Sequence, residues 1–313
     1  MKRALILLNM GGPNNLSEVK VFLLNMFKDR RILPIKSDFL RSIIAHIITF
    51  ARHKNAKENY AKLGGKSPIS DTTKSLCEKI SSLYGEFSAV DFAMRYTPAF
   101  AKDTMVKYSE FDEIILLPLY PHHSSTTILS SLDDVKNVLD EIKFKGEVKI
   151  VPEFYQNSAY NDIILNRILS QIKGNDISEV TLIFSAHSLP QSVIDRGDLY
   201  EKHVKEHVEI LSNLCRQNGL NFKEFKLAYQ SKLGPVKWLE PAMSDTLKQI
   251  EIKKAIIVPI SFCIDNSETD FELAIEYRQI ADELGYELYK VIRCPNDGED
   301  FARFLAKLAL ETE

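Results

Sequence analysis

Eight short apolar runs recur along this chain, at residues 4–8, 89–94, 114–119, 148–151, 180–184, 225–229, 255–260 and 287–292, with longer amphipathic stretches between them. β-Branched or leucine-rich runs of this length, alternating with helix-length segments, are the βαβ rhythm of a parallel sheet covered by helices. The expected fold class is therefore α/β. A charged segment at 143–147 divides the runs roughly in half, and each half offers three runs that end in polar, Gly- or Pro-containing loops. We read this as two similar lobes, 1–146 and 147–313, with a final helix that could pack back on the N-terminal lobe. One continuous doubly wound sheet is the alternative. Ligands in open α/β sheets sit beyond the carboxyl ends of the strands, so reactive residues are expected to converge in a cleft between the lobes.

Composition removes several function classes. With 313 residues, 45% apolar and 27% charged, the chain matches an ordinary globular protein of two packed units. The 40 basic and 43 acidic side chains include no long block of one sign, so nucleic-acid binding is not expected. Cys77, Cys215, Cys263 and Cys294 are scattered with no CxxC pair, which disfavours an iron–sulfur or structural zinc site. The start, Met1-Lys2-Arg3 followed by ALILLN, is too short for a secretory h-region and reads as a buried first strand. No apolar run reaches the ~18 residues of a membrane span. A cytoplasmic protein is expected, at most lying on a membrane surface.

Several residues could carry chemistry. GGPNN after the first run, at residues 11–15, is neither GxGxxG nor a P-loop, so a structural turn competes with an anion cradle there. His187 follows the apolar VTLIFSA directly, which holds an imidazole where a strand ends. Beyond the strand ending near Ser261 come Glu268, Glu272 and Glu276, four apart. On an α-helix each would step about 40° from the last, forming a carboxylate stripe. A solvated acidic face is one meaning of such a stripe. The other is a path for a divalent metal, with imidazole and carboxylate as a first shell suited to Fe2+.

Met10, Tyr96, Tyr120 and Trp238, the only tryptophan, stand at or near strand ends and could line a flat apolar slot, or could simply be core. Arg30, Arg31 and Arg95 are cations placed to bind a ligand carboxylate. Segment 39–54 has amphipathic helical spacing, with Leu40, Ile43, Ile44, Ile47, Ile48 and Ala51 on the apolar side. Such a helix is by default buried on its domain, and a basic, isoleucine-rich one could also touch a bilayer weakly.

The longer motifs resemble one family. LLNMGGP at 7–13, GGKSPIS at 64–70, MRYTPAF at 94–100, PLYPHHSSTT at 118–127, FSAHSLPQSVIDRGDLY at 184–200, YQSKLGPVKWLEP at 229–241 and DNSETDFEL at 265–273 are similar to segments of ferrochelatase, and they cover nearly the whole chain. The resemblance implies two Rossmann-like lobes around a porphyrin cleft. It also implies insertion of Fe2+ into a free-base porphyrin, protoporphyrin IX or coproporphyrin III, to make haem with release of two protons. His187 matches the family's active-site histidine and Glu268 its carboxylate, with Glu272 and Glu276 continuing an acidic metal path. Met10 matches a position facing the macrocycle, and Arg30, Arg31 and Arg95 match positions near the cleft rim. Porphyrin and ferrous iron are the expected partners, with no permanently bound cofactor, no iron–sulfur cluster and a monomeric chain.

The chain departs from the family pattern at several places. Asn266 stands where the family has histidine, so a second imidazole is missing. PQYS reads PHHS, with His122 and His123; TTGSS reads TTILSS near Ile128; GDPY reads GDLY at Leu199. Inserting a metal requires loss of two inner N–H protons, and the expected arrangement is a base and a metal-delivering group on opposite sides of the ring. His187 is the expected base, although neutral imidazole could instead be the first iron ligand. A haem carrier and a nucleotide-binding oxidoreductase are the readings from other classes. The carboxylate stripe argues against the first, and an incomplete phosphate loop against the second.

Overall fold

The computed structural model describes residues 1–173, 176–232 and 234–312. Leu233, in the turn ahead of Trp238, therefore lies outside the described residues. Strands form at all eight apolar runs: β1 (Arg3–Asn9), β2 (Ala89–Met94), β3 (Glu113–Pro118), β4 (Glu147–Ile150), β5 (Thr181–His187), β6 (Glu224–Gln230), β7 (Lys254–Pro259) and β8 (Leu288–Val291). They make two four-stranded sheets, ordered β2-β1-β3-β4 and β6-β5-β7-β8, in which every neighbouring pair is parallel. One continuous sheet is thereby excluded. Each sheet keeps inside it the strand that comes first in the chain, and every residue of β1 and β5 except Arg3 and His187 is buried. Residues 4–8 of β1 are at most 1% exposed, which is why these runs read as continuous rather than alternating.

Two compact units result. One comprises Met1–Tyr120, Ser124–Pro152 and Asp297–Glu313; the other comprises Pro121–His123 and Glu153–Asn296. The boundary expected at 146/147 is corrected to 152/153. β4 pairs with β3 from Glu113↔Glu147 to Leu116↔Ile150, and Val151 N–H extends the ladder to the Leu116 carbonyl. The last helix, Glu299–Leu310, belongs to the first unit. It packs on the helix Ile69–Leu83, where Ser75 Oγ and Lys79 Nζ donate to Asp297 Oδ2 at 2.6 and 2.8 Å.

In the first unit, Ile6, Leu8, Ala93, Met105, Leu116, Val135 and Leu139 form one apolar cluster between sheet and helices. In the second, Ile183, Ala228, Met243, Leu247, Ile257 and Leu273 do the same. Full burial of each Leu, Ile, Val or Met side chain among them stabilises by roughly 1.5–3 kcal/mol.

The GGPNN segment is a packing turn. Gly11 has φ +81°, and a Cβ at Gly12 would meet the Ser67 side chain at 2.6 Å. Both glycines are thus required by geometry before any ligand is considered.

The amphipathic segment is a helix, Asp38–Lys62, but its expected orientation is corrected. Arg41, Ala45, Thr49 and Tyr60 are its buried residues. Phe39, Ile43, Ile47 and Phe50 are exposed, Phe50 by 88%. Leu40, Ile43 and Ile47 of the apolar stripe face outward while Ile44 and Ile48 are half-buried, and Arg41 is drawn inward, its guanidinium donating to the Lys28 and Ile35 carbonyls at 2.8 and 2.7 Å.

Candidate active site

Strand register in the second unit assembles the site. His187 is the last residue of β5 and lies opposite Gln230 of β6. The β5–β7 pairing, Ser185↔Pro259, brings Ser261 alongside His187 two residues further on. His187 N–H donates to Ser261 Oγ at 3.3 Å, and Tyr200 Oη–H donates to the His187 carbonyl at 2.9 Å. Residue 187 is thus held by its main chain while its ring projects beyond the strand.

That ring meets a carboxylate. His187 Nδ1 lies 2.7 Å from Glu268 Oε2, with the two side chains 32% and 20% exposed. Neutral imidazole bonded this way donates from Nδ1, leaving the lone pair on Nε2. Burial acts to lower the His187 pKa, but the Glu268 charge and hydrogen bond, with Glu272 behind them, outweigh it and hold the pKa above its ordinary value. The base and the carboxylate, expected on opposite sides of a ring, are here in direct hydrogen-bond contact at 2.7 Å.

The acidic segment is also not the expected α-helix. Glu268–Glu276 is a π-helix, continued by an α-helix, Tyr277–Glu283. Tyr277 N–H reaches back five residues to the Glu272 carbonyl. The wider turn keeps Glu272 close to the line of Glu268, and Ser231 Oγ reaches both carboxylates. Glu272 turns to Ser231, accepting its N–H at 2.6 Å and its hydroxyl, while Ser231 Oγ is 3.5 Å from Glu268 Oε2. Burial, then the Glu268 charge, push the Glu272 carboxyl up to about 7, against the lowering effect of Ser231. Glu276 is exposed. Among the described residues, no three His, Cys, Asp or Glu side chains are gathered to hold a metal ion.

Asn266 does not point at the imidazole. It is 5% exposed, and its Oδ1 accepts the Glu268 N–H at 2.8 Å. Trp238 runs beside the loop that follows His187, its main chain bridging Pro190. The remaining expected residues belong to the first unit. Met10 packs against a cluster with Val19, Phe22 and Tyr96. Arg30 is exposed, and Arg31 pairs with Asp133 at 2.6 Å. Arg95 pairs with Asp29 at 3.1 Å, Asp134 at 3.5 Å and Ser130 at 3.0 Å. Tyr96 and Tyr120 are buried, with hydroxyls on Asp29 and Ser131, which makes them core rather than slot lining.

Sequence reasoning missed Ser231, Tyr200 and Ser261, and a histidine cluster in the same unit. His122 Nε2 is 2.8 Å from His207 Nδ1, and His207 Nε2 is 2.8 Å from Asn161 Oδ1. His203 Nδ1 accepts the His123 N–H at 3.2 Å. His203 and His207 sit four apart on the helix Tyr200–Gln217, a spacing legible in the sequence. Burial, then the neighbouring His207 and His203, hold the His122 pKa well below its ordinary value. Burial alone lowers His207 to about 3.

Comparison with known proteins places this site in a class and then in a family. SirB from Bacillus subtilis with Fe3+ matches with a TM-score of 0.60 over 99% of this chain and 95% of that one, at 9% identity. The sirohydrochlorin chelatase SirB from Bacillus subtilis subspecies spizizenii, in complex with cobalt, matches with a TM-score of 0.56 at 8% identity, over the same shares of the two chains. At such identities the likeness is one of fold alone. The ferrochelatase family model matches residues 2–313. Ferrochelatase of Campylobacter concisus is 58% identical over 97% of this chain and 96% of its own length. Those of Campylobacter fetus and Sulfurimonas denitrificans are 51% and 50% identical, each over 98% of both chains. The chain belongs to the ferrochelatase family: it is a metal chelatase of the lyase class whose reaction inserts ferrous iron into a porphyrin to make haem.

Proposed function

We propose that His187, backed by Glu268, is the base that removes the porphyrin's inner N–H protons. The single observation carrying this reading is the 2.7 Å contact between Nδ1 and Glu268 Oε2, which turns Nε2 outward as the accepting atom. Proton uptake creates an imidazolium that the adjacent carboxylate stabilises, consistent with the raised pKa. Glu272, near neutrality at about 7, takes the next proton, with Ser231 between the two carboxylates. Because the pair occupies one side, iron approaches the macrocycle from the face away from His187. Solvent deuterium effects on single-turnover insertion test this: an effect present in the wild type and in Glu276→Gln, with His187→Ala inactive, supports it. Absence of the effect when insertion is rate-limiting counts against it.

A second reading has its own support. An imidazole that donates one N–H to a carboxylate is also the usual form of a metal-binding histidine. On this reading Nε2 meets Fe2+ first, and Glu268, Glu272 and Glu276 deliver the ion. The readings separate on the iron KM of Glu272→Gln and Glu276→Gln, which rises only if these carboxylates carry iron.

Substrate carboxylates are proposed to meet the exposed Arg30 and the half-buried Arg31, whose acidic partner Asp133 is itself half exposed, in preference to Arg95 with its partners Asp29, Asp134 and Ser130, and Met10 and Trp238 to contact the macrocycle. We also propose weak peripheral membrane contact through the helix Asp38–Lys62, at the cytoplasmic face. The outward row of Phe39, Ile43, Ile47 and Phe50, with Lys54 and Lys57 nearby, supports it. Among the described residues no helix is long and apolar enough to cross a membrane.

A further inference from the structure

We propose that Tyr200 and Ser261 are positioning residues for iron insertion: with the main chain of His187 they close a ring of three hydrogen bonds that aims the imidazole. The inference rests on His187 being the reacting base.

Donor accounting closes the ring. His187 N–H donates to Ser261 Oγ at 3.3 Å, and Tyr200 Oη–H donates to the His187 carbonyl at 2.9 Å. Tyr200 and Ser261 oxygens lie 2.7 Å apart. The tyrosine's one hydrogen is already spent on the carbonyl, so the serine hydroxyl must donate to Tyr200 Oη. Three donors and three acceptors are thus used in one sense. Both main-chain groups of residue 187, which lie just where the β5 ladder gives out, are satisfied within the ring.

The ring ties three elements together: the end of β5, the segment after β7, and the first turn of the helix Tyr200–Gln217. Tyr200 and Ser261 are 6% and 9% exposed, so solvent competes little for these bonds. Burial, despite the Ser261 hydrogen bond, raises the Tyr200 pKa, and the hydroxyl remains a donor throughout the working range. The tyrosine ring is braced in turn by the edge-on His122 ring, with centroids 6.0 Å apart. His122 is fixed by the chain through His207 to Asn161. Asn161 Oδ1 can only accept, so His207 donates from Nε2 and accepts at Nδ1, and His122 must donate from Nε2. One tautomer is thereby selected for each buried ring.

The test measures kcat and KM for porphyrin and for ferrous iron in Tyr200→Phe, Ser261→Ala, Ser261→Thr and the Tyr200→Phe, Ser261→Ala double variant. His187→Ala is the reference, and thermal midpoints are followed in parallel. Misaiming a reacting group costs about tenfold to a hundredfold in rate. We expect such a loss of kcat in Tyr200→Phe and in Ser261→Ala, with both KM values within about twofold. The double variant should be no worse than the poorer single, because one ring is broken once. Ser261→Thr, which keeps the hydroxyl, should recover most of the rate. Unchanged kcat in the two single variants, with His187→Ala inactive, overturns the positioning role and leaves the base in place. Turnover by His187→Ala overturns the reading beneath it. Loss in Ser261→Ala that threonine does not rescue also overturns the proposal, and the serine pair decides alone if Tyr200→Phe does not fold.

Discussion

Asn266 Oδ1 accepts the main-chain N–H of Glu268 at 2.8 Å, and Asn266 N–H is taken by Thr269 Oγ1 at 3.0 Å. The two bonds form a reciprocal cap at the start of the acidic helix, fixing where Glu268 leaves the main chain. An amide here does the work of a cap, which accounts for a residue that as a proton relay would be inert.

Asn266→Ala should therefore cost about 1 kcal/mol of stability and lower insertion by letting Glu268 drift from His187. Asn266→Ser retains a capping oxygen and should stay within a few tenths of a kcal/mol of wild type. Urea unfolding at neutral pH measures both. Equal stability of Asn266→Ala and wild type would remove the cap.

His187→Ala and Glu268→Gln should each reduce metal insertion by at least about a hundredfold while porphyrin binding stays measurable. Anaerobic absorbance titration with porphyrin, followed by Fe2+, separates the two. Near-normal turnover in either variant would sink the assignment.

Acid stability should be governed by the buried histidines. The folded pKa values of His122 and His207 lie below the unfolded value near 6.5, His207 at about 3. Below that unfolded value the unfolded chain binds more protons than the folded one. Stability is therefore fully present above pH ~6.5 and lost as pH falls, by roughly 1.4 kcal/mol per pH unit for each histidine. His187, whose pKa is raised, acts oppositely and only above pH ~6.5, where its contribution fades as pH rises. Unfolding free energies at pH 5 and 7.5 check this, and His207→Gln should flatten the acidic slope.

Phe39→Ser with Phe50→Ser should weaken binding to anionic vesicles and leave unfolding unchanged, since the two side chains are 77% and 88% exposed. Flotation at low salt is the measurement. Equal flotation of variant and wild type would leave the outward stripe without this role.

The strands were legible from the chain because a buried parallel strand must be a continuous apolar run, a property of neighbours in sequence. For the same reason His187 was readable as the residue ending β5, and the 4-residue spacing of three glutamates was visible before any coordinates. Partner choice was not. β4 joins the first sheet only through its ladder with β3, and that pairing moves the unit boundary past Pro152. His187 and Glu268 are 81 positions apart, and His122 and His207 are 85 apart. Neither contact has a local signature. Whether two polar groups face each other across a ligand or bond directly depends on strand register and on the turn of the helix that carries one of them. Here a π-helical turn and the β5–β6–β7 alignment made that decision. The chain sets where the reactive groups emerge; tertiary packing sets which of them touch, because only packing fixes distances between residues far apart in the chain.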